Sequence, residues 1–166
     1  MPKPPKIPES VLVVIHTPEL DVLLIERADR PGLWQSVTGA RDYVDEPFPQ
    51  TAAREVGEET GIVVGSAEAP RDGLIDWQHQ IQFEIFPEWR HRYGDGVTTN
   101  TEHWFSLQVA RRLEVTLAPR EHTAHVWLPY EEAAARCFSW SNRDAILQLP
   151  DRLNARLNER TKRLLR

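Results

Sequence analysis

The chain has 166 residues, 40% of them hydrophobic and 27% charged, enough to bury one sizeable core and a composition that excludes disordered, collagen-like and disulfide-scaffold classes. Twenty Lys and Arg against twenty-five Asp and Glu leave a net charge of −5, so no global positive field exists to hold a nucleic-acid backbone, and a phosphate ligand calls for a bound divalent cation. The longest aliphatic run, residues 11–15, is far short of the ~20 residues of a membrane span, and the single Cys137 with no secretory pattern before the first strand sets the expectation of a cytoplasmic protein.

Residues 1–10 contain four prolines and read as an irregular arm. The apolar, β-branched run 10–16 and the run 21–27 predict two neighbouring strands, the first buried on both faces. Further strands are predicted at 34–38, 81–86, 103–108 and 125–128. Helices are predicted at 50–60, closed by Gly61, at 130–137, and after Ser141, where Asp144 three residues on suggests a capping box. Leu153, Leu157 and Leu164 among many arginines give a C-terminal amphipathic helix with a basic solvated face. Mixed strands and helices in this order predict an α/β domain over 1–150, with 151–166 as a helical extension of it.

The helix at 50–60 carries the chemistry. Residues three and four apart share a helix face, so Glu55 lies beside Glu58 and Glu59, and Arg54 beside Glu58. Like charges so placed destabilise an isolated helix by about 0.2–0.5 kcal/mol per pair, and Gly57 inside it costs about 1 kcal/mol more. A hard cation offers the compensation: Mg2+ favours carboxylate oxygens and bridges to phosphates.

Residues 39–62, GARDYVDEPFPQTAAREVGEETGI, resemble the Nudix box, G-x5-E-x7-R-E-U-x-E-E-x-G-U with U aliphatic. One departure stands out: six residues separate Gly39 from Glu46, so either Asp45 or Glu46 can take the first acidic position and orient Arg54. The resemblance implies an α/β/α sandwich around a mixed β-sheet, and a Mg2+-dependent (or Mn2+-dependent) attack of water on a pyrophosphate linkage. Segments 34–39, 83–86, 90–105 and 139–143 resemble the branch of the family that takes 7,8-dihydroneopterin triphosphate to its monophosphate and pyrophosphate in folate synthesis.

Carried over position by position, that resemblance implies metal ligands at Glu55, Glu59 and Glu121 and substrate contacts at Lys6, Arg27, Thr38, Phe83, Glu84, Ile85, Phe86, His122 and Ser139. Lys6 and Arg27 suit phosphate oxygens, a Phe83 or Phe86 ring suits a flat pterin, and Glu84 can accept from its amino group. Strand alternation places Glu84 and Phe86 on one face and Phe83 on the other. Glu58 is the candidate base, with Arg54 to orient it. Arg90, His91 and Arg92 are a solvated turn, a brace for the substrate loop or a dimer contact. The expected partner is a small-molecule triphosphate, with neither nucleic acid nor membrane; no pattern in the chain sets the oligomeric state. Two competing readings are a purine (deoxy)nucleoside triphosphate pyrophosphatase and a non-catalytic nucleotide-sensing module; the full Arg54, Glu55, Glu58, Glu59 set speaks against the second.

Overall fold

Five consecutive aliphatic residues, Val11 to Ile15, are at most 1% exposed, and this burial on both faces organises the molecule. They lie in β1 (Glu9–His16), the middle of a mixed sheet in the computed structural model, which describes residues 3–165. Met1, Pro2 and Arg166, the ends of the predicted arm and C-terminal helix, lie outside the described residues. β1 pairs parallel with β6 (Thr99–Gln108) and antiparallel with β2 (Asp21–Arg27) and β4 (Val37–Ala40). β3 (Trp34–Gln35) and β7 (His122–Pro129) extend β2, and β5 (Leu74–Glu84) extends β6.

Alternate β1 residues serve two cores. Val11, Val13 and Ile15 pack with Ala52 and Val56 of α1 (Phe48–Thr60), whereas Leu12 and Val14 pack with Ala133 of α2 (Tyr130–Arg136) and Ile146 and Leu149 of α3 (Trp140–Leu164). Helices therefore cover both faces of the sheet, the α/β/α sandwich expected. α1 ends where Gly61 adopts φ 75° and returns its N–H to the Gly57 carbonyl, a left-handed cap that glycine takes without strain.

Several boundaries differ from those expected. The strand predicted at 34–38 is two, because β3 follows β2 whereas β4 crosses to β1. β5 starts at Leu74 rather than 81: its register shifts between Asp76 and Gln80, with Gln78 at φ 51°, and this bulge breaks the alternation that would reveal the strand. The same strand ends at Glu84, so Phe86 lies beyond it and does not share a strand face with Glu84. The cap of α3 is Ser139, not Ser141; the Ser139 hydroxyl accepts from the Asn142 N–H, while Ser141 is buried in the first turn. α3 continues through Pro150 without interruption, so residue 150 falls inside one helix. Leu153 packs on the core, but Leu157 and Leu164 are 58% and 86% exposed, because the helix has run past the sheet.

Candidate active site

The loop from β4 to α1 is held to the helix by one guanidinium. Arg54 donates from Nε and Nη2 to the two Glu46 oxygens at 3.1 and 2.9 Å, from Nη2 to the Ala40 carbonyl at 2.9 Å, and from Nη1 to Glu55 at 2.9 Å. Glu46 also accepts from the Thr51 hydroxyl and the Asp42 N–H and is fully buried. The Arg54 hydrogen bonds, aided by those from Asp42 and Thr51, hold its carboxyl down at about 2. Asp45 is exposed. The structure thus gives the first acidic position of the box to Glu46; the extra residue is absorbed in the turn that Glu46 closes by donating its N–H to the Tyr43 carbonyl. Arg54 spends its donors on protein groups, which makes it a positioning residue. It reaches Glu58 only at 3.4 Å, and the Glu58 side chain is 56% exposed.

Glu55 points the other way, under β4. It lies so close to Gly39 that a Cβ there would sit 2.0 Å from the Glu55 Cδ. Burial, opposed by Arg54 and reinforced by Glu58 and Glu121, pushes its carboxyl up to about 7. One turn on, Glu59 is buried, and desolvation together with the fields of Glu55 and Glu121 drives its carboxyl well above the usual range. Its Oε1 is 3.5 Å from Nε2 of His122.

Among the described residues, Glu59, Glu121 and His122 bring one potential ligand atom each within 4.8 Å of one another. Glu121 is exposed at the mouth and His122, the first residue of β7, is buried. Glu59 Oε2 and His122 Nδ1 are buried without a hydrogen-bond partner. Such orphaned atoms, beside carboxylates that resist ionising together, fit a hard divalent cation. Glu55 stands at the edge of this group, drawn onto Arg54, and His122, expected at the substrate, stands within it.

Two cations face the carboxylates. Lys6 is exposed, bridges to Tyr93 through the backbone, and lies within the electrostatic reach of Glu55, Glu121, Arg27 and Arg92. Arg27, at the end of β2, grips Asp29 with two hydrogen bonds of 2.8 Å and donates to Gln35, whose amide in turn donates to Thr38. The next residue, Ala28, donates its N–H to the carbonyl of Glu121, which ties Arg27 to the loop that carries Glu121.

The remaining predicted contacts divide. Ser139 sits at the start of α3, its hydroxyl engaged by Asn142. Phe83 is half-buried on β5 and Glu84 exposed at its end. Ile85 is 3% exposed, and its carbonyl already accepts from Arg90, so its role is to anchor the following turn. Of the basic run, Arg90 donates to the Ile85 carbonyl and Arg92 to Asp29, so these two fasten the turn that follows β5. Phe86 meets Trp89 and Phe138, two aromatic residues that sequence reasoning missed. The available signal was six tryptophans in 166 residues, without a spacing to single out Trp89.

A carboxylate-rich helix behind a glycine-bearing strand, in an α/β/α sandwich, defines a hydrolase-type phosphate site, and the NUDIX domain matches residues 6–149: the chain belongs to the Nudix family. It is 46% identical over 144 residues to the dihydroneopterin triphosphate diphosphatase of Escherichia coli K12, covering 86% of this chain and 92% of that one. It is 37% identical over 139 residues to the Haemophilus influenzae protein of the same name, covering 83% and 84%. The structure of the E. coli dihydroneopterin triphosphate pyrophosphohydrolase superposes with a TM-score of 0.80 at 46% identity, covering 88% of this chain and 97% of that one.

Proposed function

We infer that this protein is a Nudix pyrophosphohydrolase that converts 7,8-dihydroneopterin triphosphate to dihydroneopterin monophosphate and pyrophosphate, a step of folate synthesis. The observation that carries the reading is the Glu59–Glu121–His122 group, two of its members buried and Glu121 exposed, beside Glu55, in a chain that aligns with the E. coli and H. influenzae diphosphatases over more than four-fifths of its length.

Nudix hydrolases need a divalent metal, and we assign it to Mg2+, with Mn2+ as a substitute, held by Glu55, Glu59 and Glu121. When bound, such an ion draws charge from phosphoryl oxygens and acidifies its water. The chain's own groups do the rest. Lys6 and Arg27 hold the triphosphate oxygens, Arg54 fixes Glu55 while tying the 40–46 loop to α1, and exposed Glu58 accepts the proton of the attacking water. His122 steadies Glu59 from behind. Thr38 and Ser139 border the substrate, with Phe83, Glu84 and Phe86 supplying the cleft wall at the end of β5 and buried Ile85 anchoring it from behind. The partner is a small molecule; among the described residues no helix is long and apolar enough to cross a membrane. A cytoplasmic location is part of the proposal, supported by Cys137, a thiol with no disulfide partner.

The test is a comparison of kcat/KM for 7,8-dihydroneopterin triphosphate, dATP and dGTP in Mg2+, with pyrophosphate detected as product. The triphosphate is common to all three, so discrimination rests on the ring and on the open hydroxylated chain that replaces a furanose. The pterin is expected to win. Purine triphosphates ahead by tenfold or more would transfer the assignment to nucleotide hydrolysis.

A further inference from the structure

Phe86, Trp89 and Phe138 come from three separate places: the exit of β5, the 3-10 turn Pro87–Arg92 and the linker between α2 and α3. They gather outside both hydrophobic cores. Phe86 is 46% exposed, and the other two are half-buried. Trp89 meets Phe86 at 5.2 Å between centroids and Phe138 at 6.4 Å, with interplanar angles of 66° and 77°. The Phe86 and Phe138 rings are 6.4 Å apart and only 35° from parallel. Trp89 is therefore a wall set steeply against two others.

Leaving three rings partly in water is unfavourable at about 25 cal/mol per Å2, and the turn needs no such cluster to hold its shape, since Arg90 already anchors it to Ile85. The cluster's position explains it. The Arg27 guanidinium lies 4.3 Å from the centroid of the Trp89 ring, and Arg27 is the cation joined through Ala28 to Glu121. The aromatic walls thus begin where the phosphate-binding groups end, the separation a ligand with a polyphosphate tail and a flat head requires.

We propose that Trp89, with Phe86 and Phe138, is the seat for the flat heteroaromatic ring of the triphosphate substrate. The proposal rests on the triphosphate chemistry inferred above and adds the ring site to it. Stacking and edge contacts of this kind read the shape and π-face of a ring and are indifferent to its pattern of donors. The seat therefore selects bicyclic heterocycles as a class, and polar neighbours choose between pterin and purine. Arg27 serves both ends of the ligand, stacked on Trp89 and charged toward the phosphates.

The experiment separates head from tail. Binding of phosphate-free 7,8-dihydroneopterin and of inorganic tripolyphosphate with Mg2+ is measured by calorimetry for wild type, Trp89→Leu, Trp89→Phe and Phe138→Leu. Loss of a stacked ring costs between a few-fold and about tenfold in affinity, so Trp89→Leu should weaken dihydroneopterin by up to about tenfold and tripolyphosphate by no more than about twofold, with Trp89→Phe recovering most of the loss. In turnover the same variant should raise KM for the pterin triphosphate far more than it lowers kcat. Wild-type dihydroneopterin affinity in Trp89→Leu, or equal losses of head and tail in both leucine variants, would overturn the proposal. If purine triphosphates prove the better substrates yet show the same rise in KM in these variants, the seat stands and only the pterin assignment falls.

Discussion

Glu55 fills the space that a side chain at residue 39 would need: a Cβ on Gly39 would lie 2.0 Å from its Cδ and 2.3 Å from its Oε1. The glycine is thus required by close approach of strand and helix, not by a special backbone angle, and it sets where Glu55 can point. Gly39→Ala should push that carboxylate out of position while leaving the two cores intact. Displacement of a catalytic group by about 1 Å can cost about a hundredfold in rate. The expected result is a fall of that order in kcat with a melting temperature near wild type, read by turnover and calorimetry; unchanged turnover would detach Glu55 from the chemistry.

On the metal assignment proposed above, Glu59→Gln should lose about a hundredfold or more in turnover, because a cation ligand and several kcal/mol of charge stabilisation would disappear. In EDTA the sign reverses for stability. The folded-state values of Glu55 and Glu59 are raised by burial and mutual repulsion, so the stability they confer is full below the unfolded value near 4.5 and is lost as pH rises, through about 7 for Glu55. In EDTA, Glu59→Gln should therefore melt above wild type at pH 8, with the gain shrinking toward pH 4.5. A variant that melts lower at pH 8 would contradict this electrostatic account.

Glu46 and Asp45 are neighbours with opposite expected consequences. Glu46→Ala leaves the Arg54 guanidinium short of its bidentate partner, at a cost of about 3 kcal/mol, whereas Asp45→Ala on the exposed side should stay within about 0.5 kcal/mol. Because the Glu46 carboxyl is held at about 2, its stabilisation is present above pH 4.5 and is lost as pH falls through 2. Chemical denaturation of the two variants checks the assignment, and a larger loss for Asp45→Ala would reverse it.

Glu102 is a buried carboxyl outside the Glu59–Glu121–His122 group, accepting from the Trp104 indole at 3.0 Å. Burial, partly offset by Trp104 and Ser141, raises it to about 7. Its proton favours the fold, so this contribution is full below pH 4.5 and fades as pH rises through 7, by up to about 3 kcal/mol. Glu102→Gln should flatten the decline in stability between pH 5 and 8, measured by urea denaturation; an unchanged slope would place the titration elsewhere.

Local periodicity made much of this protein legible in its sequence. The run around Val11–Ile15 announces a strand buried on both faces, and the spacing of Arg54, Glu55, Glu58 and Glu59 with Gly61 fixes a helix, its end and its charged face, because helix geometry depends on residues three and four apart. The helix even shows its own incompleteness, since clustered carboxylates need a counter-charge. Tertiary structure decided the rest. Only the fold brings Glu121 and His122 to Glu59 across more than sixty residues of chain, chooses Glu46 over Asp45, turns Ile85 inward, and collects Phe86, Trp89 and Phe138 beside Arg27. These pairings come from the closing of β7 on β2 and of the linker before α3 on β3, contacts between distant segments whose geometry no local spacing records.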